Sequence, residues 1–229
     1  MKEIYDHFAT TYEANRGQFD MTDVLDTLWQ RQNLSEGRLL DLGCGAGEPF
    51  SSFYIAKGWQ VTGVDFSKNM LALASKFCPK MLQIQSDMRN IQFGQQQFDC
   101  ITSIYSLFHL SVSEQDQLLE TAFQWLKPNG YLLFTYASEQ YTGEKIFSGT
   151  KTFMGQELYY AHTQPETLIN KLKDIGYQVI SKESREIGGE TFLWITTKKP
   201  AQFRLKCSMP PSYFSDHFRI INLKTCTTK

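Results

Sequence analysis

Arg38-Leu39-Leu40-Asp41-Leu42-Gly43-Cys44-Gly45-Ala46-Gly47-Glu48 joins a short apolar run to a turn dense in glycine. The apolar run is the right length for one buried strand. Glycine at three alternate positions supplies positive φ and removes Cβ, so main-chain N–H groups can face a ligand at the start of the next helix. The pattern is that of a loop holding a nucleotide-type cofactor, and its spacing narrows the choice. A dinucleotide fingerprint is G-x-G-x-x-G, with the third glycine packing helix on strand; after Gly43 and Gly45 that third place is taken by Glu48. Asp41 precedes the loop. A carboxylate there repels a pyrophosphate and suits a ligand that carries an ammonium.

Working outward, strand-like and helix-like segments alternate, the βαβα rhythm of a parallel, doubly wound sheet with helices on both faces. Strands are expected near 38–43, 60–64, 81–86, 98–104, 130–136, 177–184 and 191–198, and helices near 48–57, 68–77, 114–126 and 165–175. Gly58 and Gly176 stand where helices stop, Ser67 and Ser113 where N-caps belong, and Pro128-Asn129-Gly130 makes a turn before the fifth strand. The second strand ends at Asp65-Phe66, where this architecture places a carboxylate for ribose hydroxyls and an apolar ring for a base. The third ends at Ser86-Asp87-Met88. Three successive strand ends thus present acid or glycine at one edge of the sheet, where ligands bind in such folds.

The 229 residues are enough for one core without disulfides or metals. Five scattered cysteines without C-x-x-C pairs point to a reducing compartment and away from structural zinc, and the polar N-terminus and lack of a long apolar run point to a cytoplasmic protein with no membrane partner. Residues 1–35 carry apolar positions at helical spacing and are expected to form an N-terminal helical cap. Residues 138–163 are an aromatic insertion after the fifth strand, longer than an ordinary connection and lid-like. From Lys198 to Lys229 there are seven Lys or Arg against one acid, Asp216, while residues 1–197 carry 16 basic and 23 acidic side chains. The extension 200–229 is either a phosphate-binding arm or a solvated tail; Phe218 to Leu223 could form an edge strand, and the structure of the whole stretch stays open.

Leu39 to Gly47, Val64-Asp65-Phe66-Ser67-Lys68-Asn69-Met70, Ser86-Asp87-Met88 and Leu126-Lys127-Pro128-Asn129-Gly130-Tyr131-Leu132-Leu133 resemble the successive motifs of class I S-adenosylmethionine-dependent methyltransferases. The resemblance covers about residues 1–199 and implies a seven-stranded sheet of order 3-2-1-4-5-7-6 with the last strand antiparallel. Its cofactor carries the ammonium that Asp41 suits. It implies that Asp41, Gly43, Gly45 and Gly47 surround the methionine part, Asp65 and Phe66 hold ribose and adenine, Met70 packs near the base, and Asp87 and Met88 cap the adenine. Cys44 is a small, tolerated member of the loop and not a nucleophile. Tyr105 belongs to the loop facing the methyl group. Tyr12 and Arg16 match residues that reach the cofactor's carboxylate.

Methyl transfer is an in-line displacement, so the protein must align the acceptor and exclude water, with a base only where the acceptor loses a proton. In Ile104-Tyr105-Ser106-Leu107-Phe108-His109-Leu110, His109 is the candidate base, or else a packing residue bonded to backbone. The loop lacks the Asn/Asp-Pro-Pro-Tyr/Phe signature of enzymes that methylate planar amino nitrogens. Phe153, Tyr159, Tyr160, His162 and Glu190 are the candidate substrate pocket, with a plain hydrophobic cluster as the alternative for the aromatics. No metal motif is present. The expected activity is methyl transfer to a small-molecule acceptor. A tRNA or rRNA methyltransferase stands against it, disfavoured by the acidic body; a non-catalytic S-adenosylmethionine-binding module is the third reading, and an NAD-dependent oxidoreductase fits least. The acceptor, the atom methylated and the oligomeric state stay open.

Overall fold

The computed structural model describes residues 4–6, 9, 11, 13, 20–153 and 155–201. Tyr12, Arg16 and the extension beyond residue 201, including the expected edge strand at 218–223, lie outside the described residues. Residues 4–6, 9, 11 and 13 are helical, and helix α1 (Thr22–Gln32) follows.

Seven strands form one sheet: β1 (Arg38–Leu42), β2 (Gln60–Asp65), β3 (Leu82–Gln85), β4 (Phe98–Ser103), β5 (Leu126–Tyr136), β8 (Gln178–Ile187) and β9 (Glu190–Lys198), in the order β3-β2-β1-β4-β5-β9-β8. The first five run parallel, and β9 is antiparallel to both its neighbours. This is the expected sheet; its numbers differ only because two further strands intervene. Those strands, β6 (Phe147–Phe153) and β7 (Gln156–His162), pair as a separate antiparallel hairpin, with Phe147 opposite His162 and Phe153 opposite Gln156. The aromatic insertion is therefore a β-ribbon, preceded by the single-turn helix α5 (Glu139–Thr142).

Side chains alternate across the central strands and divide the core in two. Leu40 and Leu42 of β1, Ile101 of β4, Leu132 and Phe134 of β5 and Ile195 of β9 meet helices α4 (Val112–Trp125) and α6 (Pro165–Ile175) through Leu118, Phe123, Leu168 and Leu172. Leu39, Val61, Cys100, Leu133 and Trp194 face the other way, against α1, α2 (Phe50–Ala56) and α3 (Lys68–Phe77) through Leu25, Leu28, Tyr54, Leu71 and Ala74. Both faces of the sheet are covered, so β1 reads as a continuous apolar run broken only at Asp41. Each such leucine contributes about 1.5–3 kcal/mol by burial.

Local signals set the element ends. Ser67 caps α3 by accepting from Met70 N at 3.2 Å, and Gly176, at φ +117°, ends α6. The cap of α4 lies two residues earlier than Ser113: Ser111 and Glu114 form a reciprocal capping box. Asn129, at φ +67°, turns the chain before Tyr131, yet strand pairing already begins at Leu126, with an offset in the β4 register. Gly188 and Gly189, at φ +65° and +81°, make the two-residue turn between β8 and β9, which sets Glu190 at the very start of β9. Among the described residues no helix is long and apolar enough to cross a membrane.

Candidate functional site

The C-terminal ends of β1, β2, β3 and β4 open into a cavity of about 1030 Å³. Its floor is the glycine turn after β1. Gly43 (φ +71°) lies so close to the 3-10 turn at Leu107–His109 that a Cβ on it would come within 2.4 Å of Ser106 Cβ, and Gly45 (φ +51°) bears on Met70. Gly47 does not line the cavity: a Cβ there would meet Cys78 Sγ at 2.8 Å, and the Cys78 thiol donates to its carbonyl. Gly47 thus seats the turn on α3, the packing part that a third glycine plays in related loops.

Two carboxylates flank the turn. Asp41 is buried and accepts from Ser51 Oγ at 2.7 Å and Thr102 Oγ1 at 2.8 Å. Burial pushes its carboxyl up, opposed by those two hydroxyls. Asp65, at the end of β2, accepts from Gly45 N at 2.9 Å and Ser67 N at 2.8 Å. Burial raises it to about 6 despite the two N–H bonds, and the charges of Asp41 and Asp6 push the same way. Asp6 itself accepts from Ser67 Oγ at 2.6 Å, and Asn69 Nδ2 donates to its carbonyl at 2.8 Å, so the N-terminal segment is tied down beside the β2 end. Cys44 lines the floor, buried, with its thiol raised well above the ordinary range by burial and the neighbouring carboxylates; it stays protonated.

Phe66, Met70, Asp87 and Met88 form the next part of the wall. Arg89 holds the Asp87 carboxylate by a forked pair at 2.5–3.0 Å and reaches Glu114 at 2.7 Å, and its hydrogen bonds keep Asp87 below the usual carboxylate range. No motif pointed to Arg89; the Asp-x-Arg spacing that makes the fork was its only local trace.

The opposite wall is aromatic. Phe108 stacks on Phe192 with centroids 4.7 Å apart and on Tyr160 at 5.3 Å; Tyr105 meets Phe192 edge-on at 5.4 Å. Phe153, Tyr160, Glu190, Tyr105 and His109 line the cavity here. Tyr159 and His162 do not. Alternation along β7 turns the Tyr159 hydroxyl to Ser148 at 2.8 Å, while His162, fully buried, bonds Thr142 Oγ1 at 2.7 Å. Tyr159 contributes its backbone instead, because its carbonyl lies 2.7 Å from His109 Nδ1. A carbonyl can only accept, so Nδ1 carries the proton and Nε2 presents a lone pair. That lone pair accepts from the Tyr5 hydroxyl at 2.8 Å. Burial lowers His109 to about 4, so the ring is neutral near pH 7. Tyr5, which also packs edge-on against Phe66 at 5.6 Å, lines the cavity and links its two walls. Sequence reasoning missed Tyr5, Phe108 and Phe192, which had no signal beyond apolar periodicity. Among the described residues no group of three or more His, Cys, Asp or Glu could hold a metal ion.

Residues 40–134 match the methyltransferase domain family. The Bacillus subtilis protein named "Putative methyltransferase YqeM" is 32% identical over 165 residues, 69% of this chain and 65% of its own length. Phosphoethanolamine N-methyltransferase 1 of Arabidopsis thaliana is 29% identical over 187 residues, covering 76% of this chain and 36% of the plant protein. Among solved structures, 1,6-didemethyltoxoflavin-N1-methyltransferase of Burkholderia thailandensis superposes with a TM-score of 0.64 at 16% identity, over 86% of this chain and 87% of that one. The [4+2]-cyclase SpnF does so with a TM-score of 0.67 at 17% identity, over 88% and 95%. These structural likenesses establish the fold; the cyclase among them is a reminder that the chemistry must come from the site.

Proposed function

Because this chain belongs to the class I S-adenosylmethionine-dependent methyltransferases, we propose that it uses S-adenosylmethionine to methylate a small-molecule acceptor held between the glycine turn and the aromatic wall. The observation that carries the reading is the pair of buried carboxylates, Asp41 and Asp65, at the ends of adjacent parallel strands around a glycine turn in the cavity floor. S-Adenosylmethionine, when bound, supplies a methyl group on a positively charged sulfonium. Asp65 keeps lone pairs beyond its bonds to Gly45 and Ser67 and would accept ribose hydroxyls. Phe66, Met70 and Met88 would enclose the adenine, and Asp87 would reach its amino group by sharing a carboxylate that Arg89 already holds. Asp41, Gly43, Cys44 and Gly45 would face the methionine part.

The aromatic wall orients the acceptor and keeps water out. Where the acceptor must lose a proton, Tyr5 and His109 form a relay: Tyr5 Oη takes the acceptor's proton as its own passes to His109 Nε2, and the Nδ1–H bond to the Tyr159 carbonyl steadies the resulting imidazolium. The lowered basicity of His109 suits a proton held only briefly. Calorimetric titration with S-adenosylhomocysteine and with NADH, on wild type and Asp65→Asn, tests the reading. Binding of the adenosyl compound alone, weakened in the variant, is expected. No binding of S-adenosylhomocysteine to the folded wild type overturns it.

A further inference from the structure

Five carboxylates line the cavity among the described residues, Asp41, Glu48, Asp65, Asp87 and Glu190, and Glu190 is the one carried by β9, two residues before Phe192 of the aromatic wall. The Gly188-Gly189 turn sets its backbone at the start of β9, and its side chain is half-buried. Tyr5, Tyr105, Tyr141 and Tyr160 all lie within its electrostatic reach. Three of these rings form a continuous wall with Phe192: Tyr141 is 4.4 Å from Phe192 and 5.2 Å from Tyr160, and Tyr105 is 5.4 Å from Phe192. Taking a carboxylate out of water beside aromatic rings is costly unless a positive charge answers it. Lys151 is the nearby protein cation, within reach of the Glu190 charge, but its ammonium donates to the Tyr141 carbonyl, lies over that tyrosine's ring at 4.8 Å, and does not line the cavity. Arg89 is the only arginine or lysine among the described lining residues, and Asp87 and Glu114 hold it on the other wall. A half-buried carboxylate that lines the cavity together with Tyr105 and Tyr160, where the single cation among the described lining residues is held elsewhere, has the chemistry that receives an ammonium group and repels a phosphate.

We propose that Glu190 and the tyrosines around it form a subsite for a protonated amine or quaternary ammonium group of the acceptor. The enzyme's acceptor is then a cationic, partly apolar molecule and not a phosphate ester. Its identification as the methyl acceptor rests on the methyltransferase reading above; the cation subsite itself does not.

The test is a set of calorimetric titrations with choline, its neutral carbon isostere 3,3-dimethylbutan-1-ol, and phosphocholine, each without and with saturating S-adenosylhomocysteine. Choline is expected to bind at least tenfold more tightly than the isostere and more tightly than phosphocholine. Glu190→Gln is expected to lose at least tenfold of the choline affinity, its thermal midpoint certifying the fold. Equal binding of choline and the isostere, tighter binding of phosphocholine, or an undiminished choline preference in Glu190→Gln would each overturn the subsite. The wild-type selectivity decides even if the variant does not fold. Loss of S-adenosylhomocysteine binding alone would strike at the cofactor assignment and leave the choline comparison standing.

Discussion

Asp65 gives the cofactor assignment a pH signature that can be worked out in advance. Burial holds its carboxyl at about 6, against 3.8 for an ordinary aspartate. The ionised form is the one that accepts ligand hydroxyls without giving up its bonds to Gly45 and Ser67. Because the pKa is raised, that form is dominant above about 6 and is lost as the pH falls through it. The apparent dissociation constant therefore scales inversely with the ionised fraction, and between pH 7 and pH 5 it weakens by about tenfold, equivalent to about 1.4 kcal/mol. An aspartate at its ordinary value would change the affinity over the same range by less than about a tenth. S-Adenosylhomocysteine does not itself titrate appreciably in this window, so calorimetry across it reads the protein, with circular dichroism certifying the fold at each pH. Asp41, also raised by burial, adds a fall of the same sign; the Asp65 share is the difference between wild type and Asp65→Asn. A wild-type affinity flat from pH 7 to 5, or a slope that survives unchanged in Asp65→Asn, would refute the reasoning.

Three other outcomes follow from the geometry. Tyr5→Phe removes the hydroxyl that bonds His109 Nε2 at 2.8 Å and should lower kcat by about 100-fold or more with an acceptor that must lose a proton, while leaving S-adenosylhomocysteine affinity within twofold; a change confined to KM would deny the relay. Gly43→Ala places a methyl 2.4 Å from Ser106 Cβ at a φ of +71°, and should abolish adenosyl binding in a protein that still melts cooperatively; unchanged affinity would show that the turn does not approach the ligand. Leu172→Ala, in a fully buried position between α6 and the sheet, should cost about 2–5 kcal/mol in urea denaturation, and a loss well under 1 kcal/mol would contradict the packing described.

The sheet was legible in the sequence because its signals are local. Leu39 to Leu42, the glycine turn and the acids at Asp65 and Asp87 each announce a strand end within a few residues, and the helices between them fix order and hand. Gly176 and Ser67 marked their helix ends for the same reason. Where a competing local signal stood nearby the reading slipped: Ser113 lies inside α4, and Ser111 caps it because only Ser111 has Glu114 three residues on. The insertion hid its hairpin because the alternation from Phe147 to Phe153 is carried by Ser, Gly, Thr and Lys, a weak strand pattern without a second face to bury. The site was legible in the same proportion. The acids and glycines at the strand ends come together as their positions imply, whereas the contact of Tyr5 with His109 spans 104 residues of chain and leaves no trace in either segment alone. Tyr159 and His162 were placed in the pocket by composition; the two-residue period of β7 turns Tyr159 to the other face, and His162, on the same face as Tyr160 but at the far end of the strand, is buried against Thr142.

The most direct test of the central claim is to incubate the protein with methyl-labelled S-adenosylmethionine and a cell extract, then separate the low-mass fraction from RNA and protein. Label entering the low-mass fraction with wild type, and not with Gly43→Ala, is the predicted result. Label appearing only in RNA or protein, or in no fraction from an enzyme that binds S-adenosylhomocysteine, would contradict it.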